Sequence, residues 1–325
     1  MAKKEKPSLV RALEFVALAQ RDTGAPYQTH VHLGRNCAVA FDGVLAAGHT
    51  IDEDITACPH TFTLLAALRR ATGVLSVAQL DAGRLSVKAG KFKAFVACMP
   101  SAVLQSVGPD PMLGVADNRL RAALAALAPF IAENSPRVVM ASAYLRAGTA
   151  VATNGHVLLE YWHGIDMPPQ GFIVPKLFIN ALCKIDKNIT GFGFSDTSLT
   201  VYFEDSSWLR TQLYKDRWPD TDAVMARPHR ANPLPTGFFE GLNNVFDFIE
   251  DNRVRIAPGA IRSHKDANVG ASYEVSGVDA TVTLNAKDWK LLDGLISSVD
   301  LAGADGISYF YGENLRGAMT QFKED

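Results

Sequence analysis

Stretches whose apolar residues recur every three to four positions give way, again and again along this chain, to runs in which apolar and polar residues alternate. Residues 62–72, 176–187 and 287–299 have the helical spacing, and each is followed by two short β-patterned runs joined by a turn. Behind the first come Arg84-Leu-Ser-Val-Lys88 and Lys93-Ala-Phe-Val-Ala-Cys-Met-Pro100. Ser198-Leu-Thr-Val-Tyr-Phe203 and Trp208-Leu-Arg-Thr-Gln-Leu213 follow the second, and Gly306-Ile-Ser-Tyr-Phe-Tyr311 and Leu315-Arg-Gly-Ala-Met-Thr320 the third. The pattern predicts a helix plus a β-hairpin three times over. A further amphipathic helix is predicted ahead of each, over 9–20, 119–131 and 237–250. Aligning Leu9, Leu120 and Phe238 gives a repeat of about 110 residues, each copy a doubled helix-plus-strands module. The fold class is therefore α+β in three repeated domains. Pro and Gly cluster at 108–114 and 227–235, which places the domains at 1–110, 115–228 and 234–325. Pro129 should end or kink its helix at Ala128.

Composition narrows the class. At 325 residues, 48% hydrophobic and 20% charged, the chain is a well-cored globular protein. It has no apolar run long enough to span a membrane, and its start does not read as a secretory leader, so a cytoplasmic location with no membrane partner is expected. Cys37, Cys58, Cys98 and Cys183 form no CxxC pair, which favours buried reduced thiols over disulfides or zinc. A net charge of −2 argues against a uniformly basic nucleic-acid binder but leaves room for one basic face.

Enzyme signatures are weak. His30 and His32 mimic a metal-binding HxH, yet the further His, Lys and Asp of such a site do not follow. Gly90-Lys91 lacks the earlier glycine of a phosphate-binding loop and is followed by Phe92. His156 and His163 lie near Glu160 without a nucleophile. No catalytic group, metal site or cofactor is expected.

The middle third carries a family resemblance. Ala152-Thr-Asn-Gly-His-Val-Leu-Leu159, Gly171-Phe-Ile-Val-Pro-Lys176 and Leu213-Tyr-Lys-Asp-Arg-Trp-Pro-Asp220 resemble, in order and spacing, the central domain of the bacterial β sliding clamp, the processivity subunit of DNA polymerase III. That family has a Thr-Asp-Gly-His-Arg-Leu turn, an Ile-Val-Pro-Arg-Lys helix start and a Gly-Arg-Phe-Pro-Asp-Tyr turn. The likeness covers the whole chain in plan but only about a third of it in motifs. Asn154 stands where the family usually has Asp and Val157 where it usually has Arg; the third unit is short and the end lacks the usual Met-Pro-Met. Such divergence resembles a specialised or phage-type member.

The resemblance implies a DNA clamp fold, with two helices per domain on the inner wall of a ring and sheets outside. It also implies a head-to-tail homodimer that encircles duplex DNA, is opened by a clamp loader and tethers a DNA polymerase. Candidate interface strands are 93–99 and 269–276. Lys176, Asn180, Lys184 and Lys187 are spaced to share one helical face, opposite Leu177, Phe178, Ala181, Leu182 and Ile185. Arg11, Arg21, Arg69, Arg70, Arg119, Arg121, Lys287 and Lys290 complete the expected DNA-facing set, although each is also explained as an ordinary solvated face. The helix at 237–250 carries no cation, so the basic lining should be uneven. Carried over by position, a partner-peptide pocket would be lined by Met140, Thr153, Gly155, His156, Val157, Leu158, Pro219, Val224, Met319 and Gln321. A clamp-like interaction module that binds peptides without encircling DNA is the alternative.

Overall fold

The computed structural model describes residues 7–81, 83–100, 107–133 and 135–323. Helices form at Ser8–Val16, Thr61–Arg70, Asn118–Leu127, Lys176–Leu182, Phe238–Phe246 and Ala286–Lys290, a pair for each third of the sequence, with four-residue helices at Pro26–Thr29 and Asp222–Met225. The hairpins follow where the alternation placed them: Arg84–Ala89 with Phe92–Met99, Ser198–Phe203 with Trp208–Gln212, and Ile307–Tyr311 with Leu315–Thr320.

Two compact units divide the chain, Met1–Arg121 with Leu177–Lys215, and Ala122–Lys176 with Asp216–Asp325. The first holds a seven-stranded sheet in which Trp208–Gln212 pairs antiparallel with Leu45–Thr50. In the second, an eight-stranded sheet joins Val157–Trp162 to Leu315–Thr320. Each unit also has a four-stranded sheet. Strands from the middle third thus continue sheets begun by the first third and by the last. The expected linker at 108–114 is part of this continuity: Met112–Val115 is an edge strand on Ile189–Phe194. It is anchored by the buried Asp110, whose carboxylate accepts hydrogen bonds from Ser198 and Thr200 at 2.8 Å and from Arg210 at 3.3 Å.

Helix ends show where periodicity over-reached. Asn118–Leu127 yields to a 3-10 turn carrying Pro129, one residue ahead of the expected break. The helix at Lys176 stops at Leu182, so 183–187 is not helical, and Ile185 reaches the core from a turn. The last helix covers only Ala286–Lys290 before tight turns and Gly294, whose φ is +73°. Its start is set by Asn285, whose side chain accepts the Asp288 N–H at 3.1 Å. The helix Phe238–Phe246 buries Phe238, Phe239, Leu242 and Val245 along one stripe. Phe238 in turn packs beside the fully buried Trp289, with ring centroids 5.7 Å apart.

Candidate functional site

In the second unit, the strands Val157–Trp162, Thr149–Thr153 and Leu315–Thr320 lie side by side, and register decides which side chains share a face. Leu158 pairs with Thr153 and with Ala318, and Ala318 with Tyr309. Leu158, Ala318 and Tyr309 form an apolar cluster with Val151 and Met225, flanked by Tyr144, Trp218, Val224, Ile307 and Tyr311. The segment 218–225 crosses this face as a strap. Trp218 stacks on Tyr144 at 5.4 Å, and the Val224 carbonyl accepts a hydrogen bond from Tyr309 Oη at 3.3 Å. At Asp222 the strap is held by two hydrogen bonds from Arg146, at 2.8 and 2.9 Å, which keep that carboxyl below its usual range.

Arg146 also reaches inward. Its Nε donates to Thr149 at 2.9 Å, and its second terminal nitrogen meets Glu160, a carboxylate only 3% exposed. The other oxygen of Glu160 accepts from Arg316 at 2.7 Å. A buried carboxylate shared by two arginines therefore underlies the strap, and the hydrogen bonds that Arg146 donates to Asp222, outweighing burial, together with those to Glu160 push its guanidinium pKa upward.

At the end of the same strands, residues 154–156 join Thr153 to Val157. Gly155 alone takes a positive φ there, +90°, so the turn is not the doubly left-handed Asn-Gly type that the sequence suggests. Asn154 acts instead through its side chain, whose oxygen accepts the N–H groups of His156 and Val157 at 3.0 and 2.8 Å. A Cβ at Gly155 would stand 2.4 Å from the Met140 methyl group, which places Met140 directly against the exposed turn.

Of the residues expected to line a peptide pocket, Met140, Thr153, Gly155, His156, Leu158, Pro219 and Val224 gather around this face and its turn. Val157 and Met319 do not. They pair directly with each other on the opposite face, and both are 1% exposed, so they pack the core instead. Gln321 is likewise turned away, its amide donating to Leu301 O at 2.8 Å and Ser308 at 3.2 Å. The physical reason is parity: neighbours in a strand point to opposite faces, so Leu158 and Ala318 look outward only if Val157 and Met319 look inward. Sequence reasoning missed Ala318 and the aromatic wall of Trp218, Tyr144 and Tyr309.

The expected cations divide in the same way. Arg11, Arg70, Lys184 and Lys287 are exposed. Arg11, Lys184 and Lys187 border a cleft of about 610 Å³ floored by Phe15, Leu18 and Ile185. Inside it His49, whose ring is pushed toward neutrality chiefly by burial, lies 3.2 Å from Asp205. Lys187 itself is spent on Asp205 at 2.5 Å and lies over the Phe15 ring. Burial pushes the Asp205 carboxyl upward, but hydrogen bonds from Lys187 and Ser207 outweigh it and hold it at about 2. Lys176 points inward, its side chain 13% exposed, donating to Ile131 O at 2.5 Å and pairing with Glu133 at 2.6 Å. Arg121 donates to the Lys187 carbonyl. Arg69 pairs with Glu14 at 3.2 Å, Arg119 with Asp117 at 2.9 Å, and Arg21 approaches Asp42 at 3.9 Å. Lys290 is exposed and lies over the Phe246 ring at 4.1 Å. The single basic stripe along 176–187 is therefore corrected: the helix ends too early, and two of its three lysines are engaged within the fold.

His30 bridges His60 rather than forming a metal pair with His32, the rings meeting edge to face at 5.3 Å. Among the described residues, no group of three or more His, Cys, Asp or Glu side chains is placed to hold a metal ion, and no helix is long and apolar enough to cross a membrane.

No protein-family model matches the chain, and no curated protein matches it in sequence. Solved structures do match in shape. The DNA polymerase III subunit beta of Pseudomonas aeruginosa superposes with a TM-score of 0.82 at 15% identity, covering 98% of each chain. A sliding clamp from the same organism bound to griselimycin gives 0.79 at 16%, covering 98% of this chain and 97% of that one. The Helicobacter pylori beta clamp bound to a DNA ligase peptide gives 0.81 at 15%, covering 97% and 98%. Across almost its entire length, the chain has the fold of the bacterial DNA polymerase III β sliding clamps.

Proposed function

We propose that this protein is a non-catalytic DNA sliding clamp: two copies join head to tail into a ring around duplex DNA and tether a DNA polymerase in the cytoplasm. Near-complete coverage of both chains in the match to sliding clamps carries the reading. The apolar face under the 218–225 strap, with its Gly155 turn, is the proposed docking groove for peptides of the polymerase and the clamp loader. Its mix of aromatic and small side chains next to an adaptable Met140 suits a short linear segment. Arg11, Arg70, Lys184 and Lys287 are the proposed phosphate contacts; such contacts bind without sequence preference and weaken with salt, which suits sliding.

Support for the ring comes from two open edges. In Phe92–Met99, residues 92–97 pair, among the described residues, with Arg84–Ala89 alone, and that hairpin exposes Lys88, Lys91, Lys93 and Phe95. Ser272–Glu274 is the edge of its sheet, in the unit that exposes Asp247, Phe248, Glu250 and Asp251. Opposite charge, an aromatic on each side and unpaired backbone suit strand addition between copies. Light scattering and particle imaging test this. A particle of two 35.1 kDa chains with a central hole is expected, reverting to monomer in the Lys93→Glu, Phe95→Asp double variant. A monomer at all micromolar concentrations would overturn it. The engaged state of Lys176, Lys187 and Arg121 favours the second reading, a peptide-binding module that leaves DNA free, and the same monomer result would support that reading.

A further inference from the structure

The cleft bordered by Arg11, Lys184 and Lys187 contains one mismatched contact. His49 enters it from the strand Leu45–Thr50, its side chain 9% exposed and its ring edge to face with Phe15 at 5.7 Å. The ring Nδ1 lies 2.7 Å from the Thr50 carbonyl, which can only accept, so Nδ1 carries a hydrogen. In the neutral ring Nε2 is then an acceptor alone, and it faces Asp205 Oδ2, a second acceptor, at 3.2 Å. Only the imidazolium makes that contact a hydrogen bond.

Lys187 occupies the place of that missing charge. Its ammonium donates to the same Oδ2 at 2.5 Å and to the Ser207 hydroxyl at 3.2 Å, above the Phe15 ring. The other oxygen, Oδ1, already accepts from the Ser207 N–H and hydroxyl at 3.1 and 2.6 Å. One carboxylate oxygen therefore has two rival cations, one present and one latent. Burial is the largest influence holding His49 toward neutrality; the Thr50 carbonyl and Asp205 oppose it, while Lys187 and Arg11 add to it. Of the remaining charges on the cleft, Glu14 meets Arg69 at 3.2 Å, and Lys184 and Asp186 are exposed.

We infer that His49 is a positioning residue that releases Lys187 for DNA: a backbone phosphate at the Arg11–Lys184 rim draws the Lys187 ammonium away, and His49 takes one proton from solvent and replaces it on Asp205. This rests on the phosphate contacts proposed above and adds Lys187 to them as a conditional member. Without the exchange, moving Lys187 would leave Asp205 Oδ2 facing a bare ring nitrogen, two acceptors with no hydrogen between them. One proton enters the protein for each such contact made, so DNA binding tightens as pH falls through the histidine range.

The probe is a short fluorescent linear duplex added to the full-length protein, with the His49 ring followed by NMR and identified by its loss in His49→Gln. Duplex should raise the pH at which His49 gains its proton by about 0.5 pH unit or more. By fluorescence anisotropy, the logarithmic salt dependence of binding should steepen by up to about one contact between about pH 8 and about pH 6. In Lys187→Gln the His49 midpoint should stand higher without DNA, and duplex should no longer move it; in His49→Gln the salt dependence should be the same at both pH values. A merely structural His49 predicts neither result. A midpoint that duplex leaves unmoved, or moves equally in Lys187→Gln, overturns the inference and leaves the phosphate contacts standing if binding still weakens with salt. No binding at either pH, or binding indifferent to salt, overturns the phosphate contacts and this inference with them.

Discussion

Replacing Arg146 with methionine tests whether the strap over the groove is held from beneath. The substitution keeps the aliphatic stem and removes the guanidinium. One oxygen of Glu160 then loses its partner at 3% exposure, with Arg316 remaining on the other. Breaking a buried ion pair costs about 3–5 kcal/mol, and the surviving Arg316 places the loss near the lower end. Thr149, 8% exposed, loses a hydrogen bond worth about 1 kcal/mol. Asp222 is largely exposed, so its pair adds at most about 1 kcal/mol. The expected loss is about 4 kcal/mol against a typical total of about 5–15, enough to shift unfolding strongly without preventing folding. Urea denaturation followed by tryptophan fluorescence measures it, because Trp218 sits on Tyr144 in the strap and should respond at lower urea than global unfolding. Adding Glu160→Gln should recover at least half of the loss, since the stranded charge is then gone. A loss under about 1 kcal/mol, or a double variant no better than Arg146→Met alone, would refute the reasoning.

Gly155→Glu forces a side chain onto a φ of +90° at a cost of about 1–2 kcal/mol and drives the Met140 methyl aside, so the protein should remain folded, and the peptide binding proposed for this groove should weaken at least about tenfold by calorimetry. Asp205→Asn should free Lys187 for phosphate, steepening the logarithmic salt dependence of DNA binding by up to about one contact. In the same variant an acid-sensitive part of stability should vanish. The Asp205 pKa is lower in the folded state than its ordinary 3.8, so its contribution is complete above that value and fades as pH falls toward about 2. Denaturation at pH 6 and pH 2.5 checks this: the variant should differ from the parent at the higher pH and by much less at the lower.

Local patterning carried much of this fold. The three hairpins and the helix starts at Lys176 and Phe238 follow from apolar spacing, and the Asn285 cap sets another start. Helix ends were harder to read, because Ile185 and Leu292 are buried whether the backbone beneath them is helix or turn. The anchoring of 108–114 was invisible for a different reason. Asp110 finds Ser198, Thr200 and Arg210 about 90–100 residues later in the chain, and local sequence does not announce such pairing. The groove was legible in its turn and not in its strands. Gly155 belongs to it through its turn, whereas Leu158 and Ala318 face it only in the register that turns Val157 and Met319 inward, and a shift of one residue would exchange the two pairs. Charge was the least legible. Lys176 and Lys187 look like solvent-facing cations in sequence, but Glu133, Ile131 O and Asp205 claim them.

Encirclement is tested most directly by topology. The protein, loaded on nicked circular duplex DNA by a clamp loader, is passed through a sizing column in high salt, before and after one cut linearises the circle. The ring account predicts that the protein stays with the circle at salt concentrations that abolish phosphate contacts and is released once the DNA has ends. Equal retention on circular and linear DNA, or none on either, would contradict it.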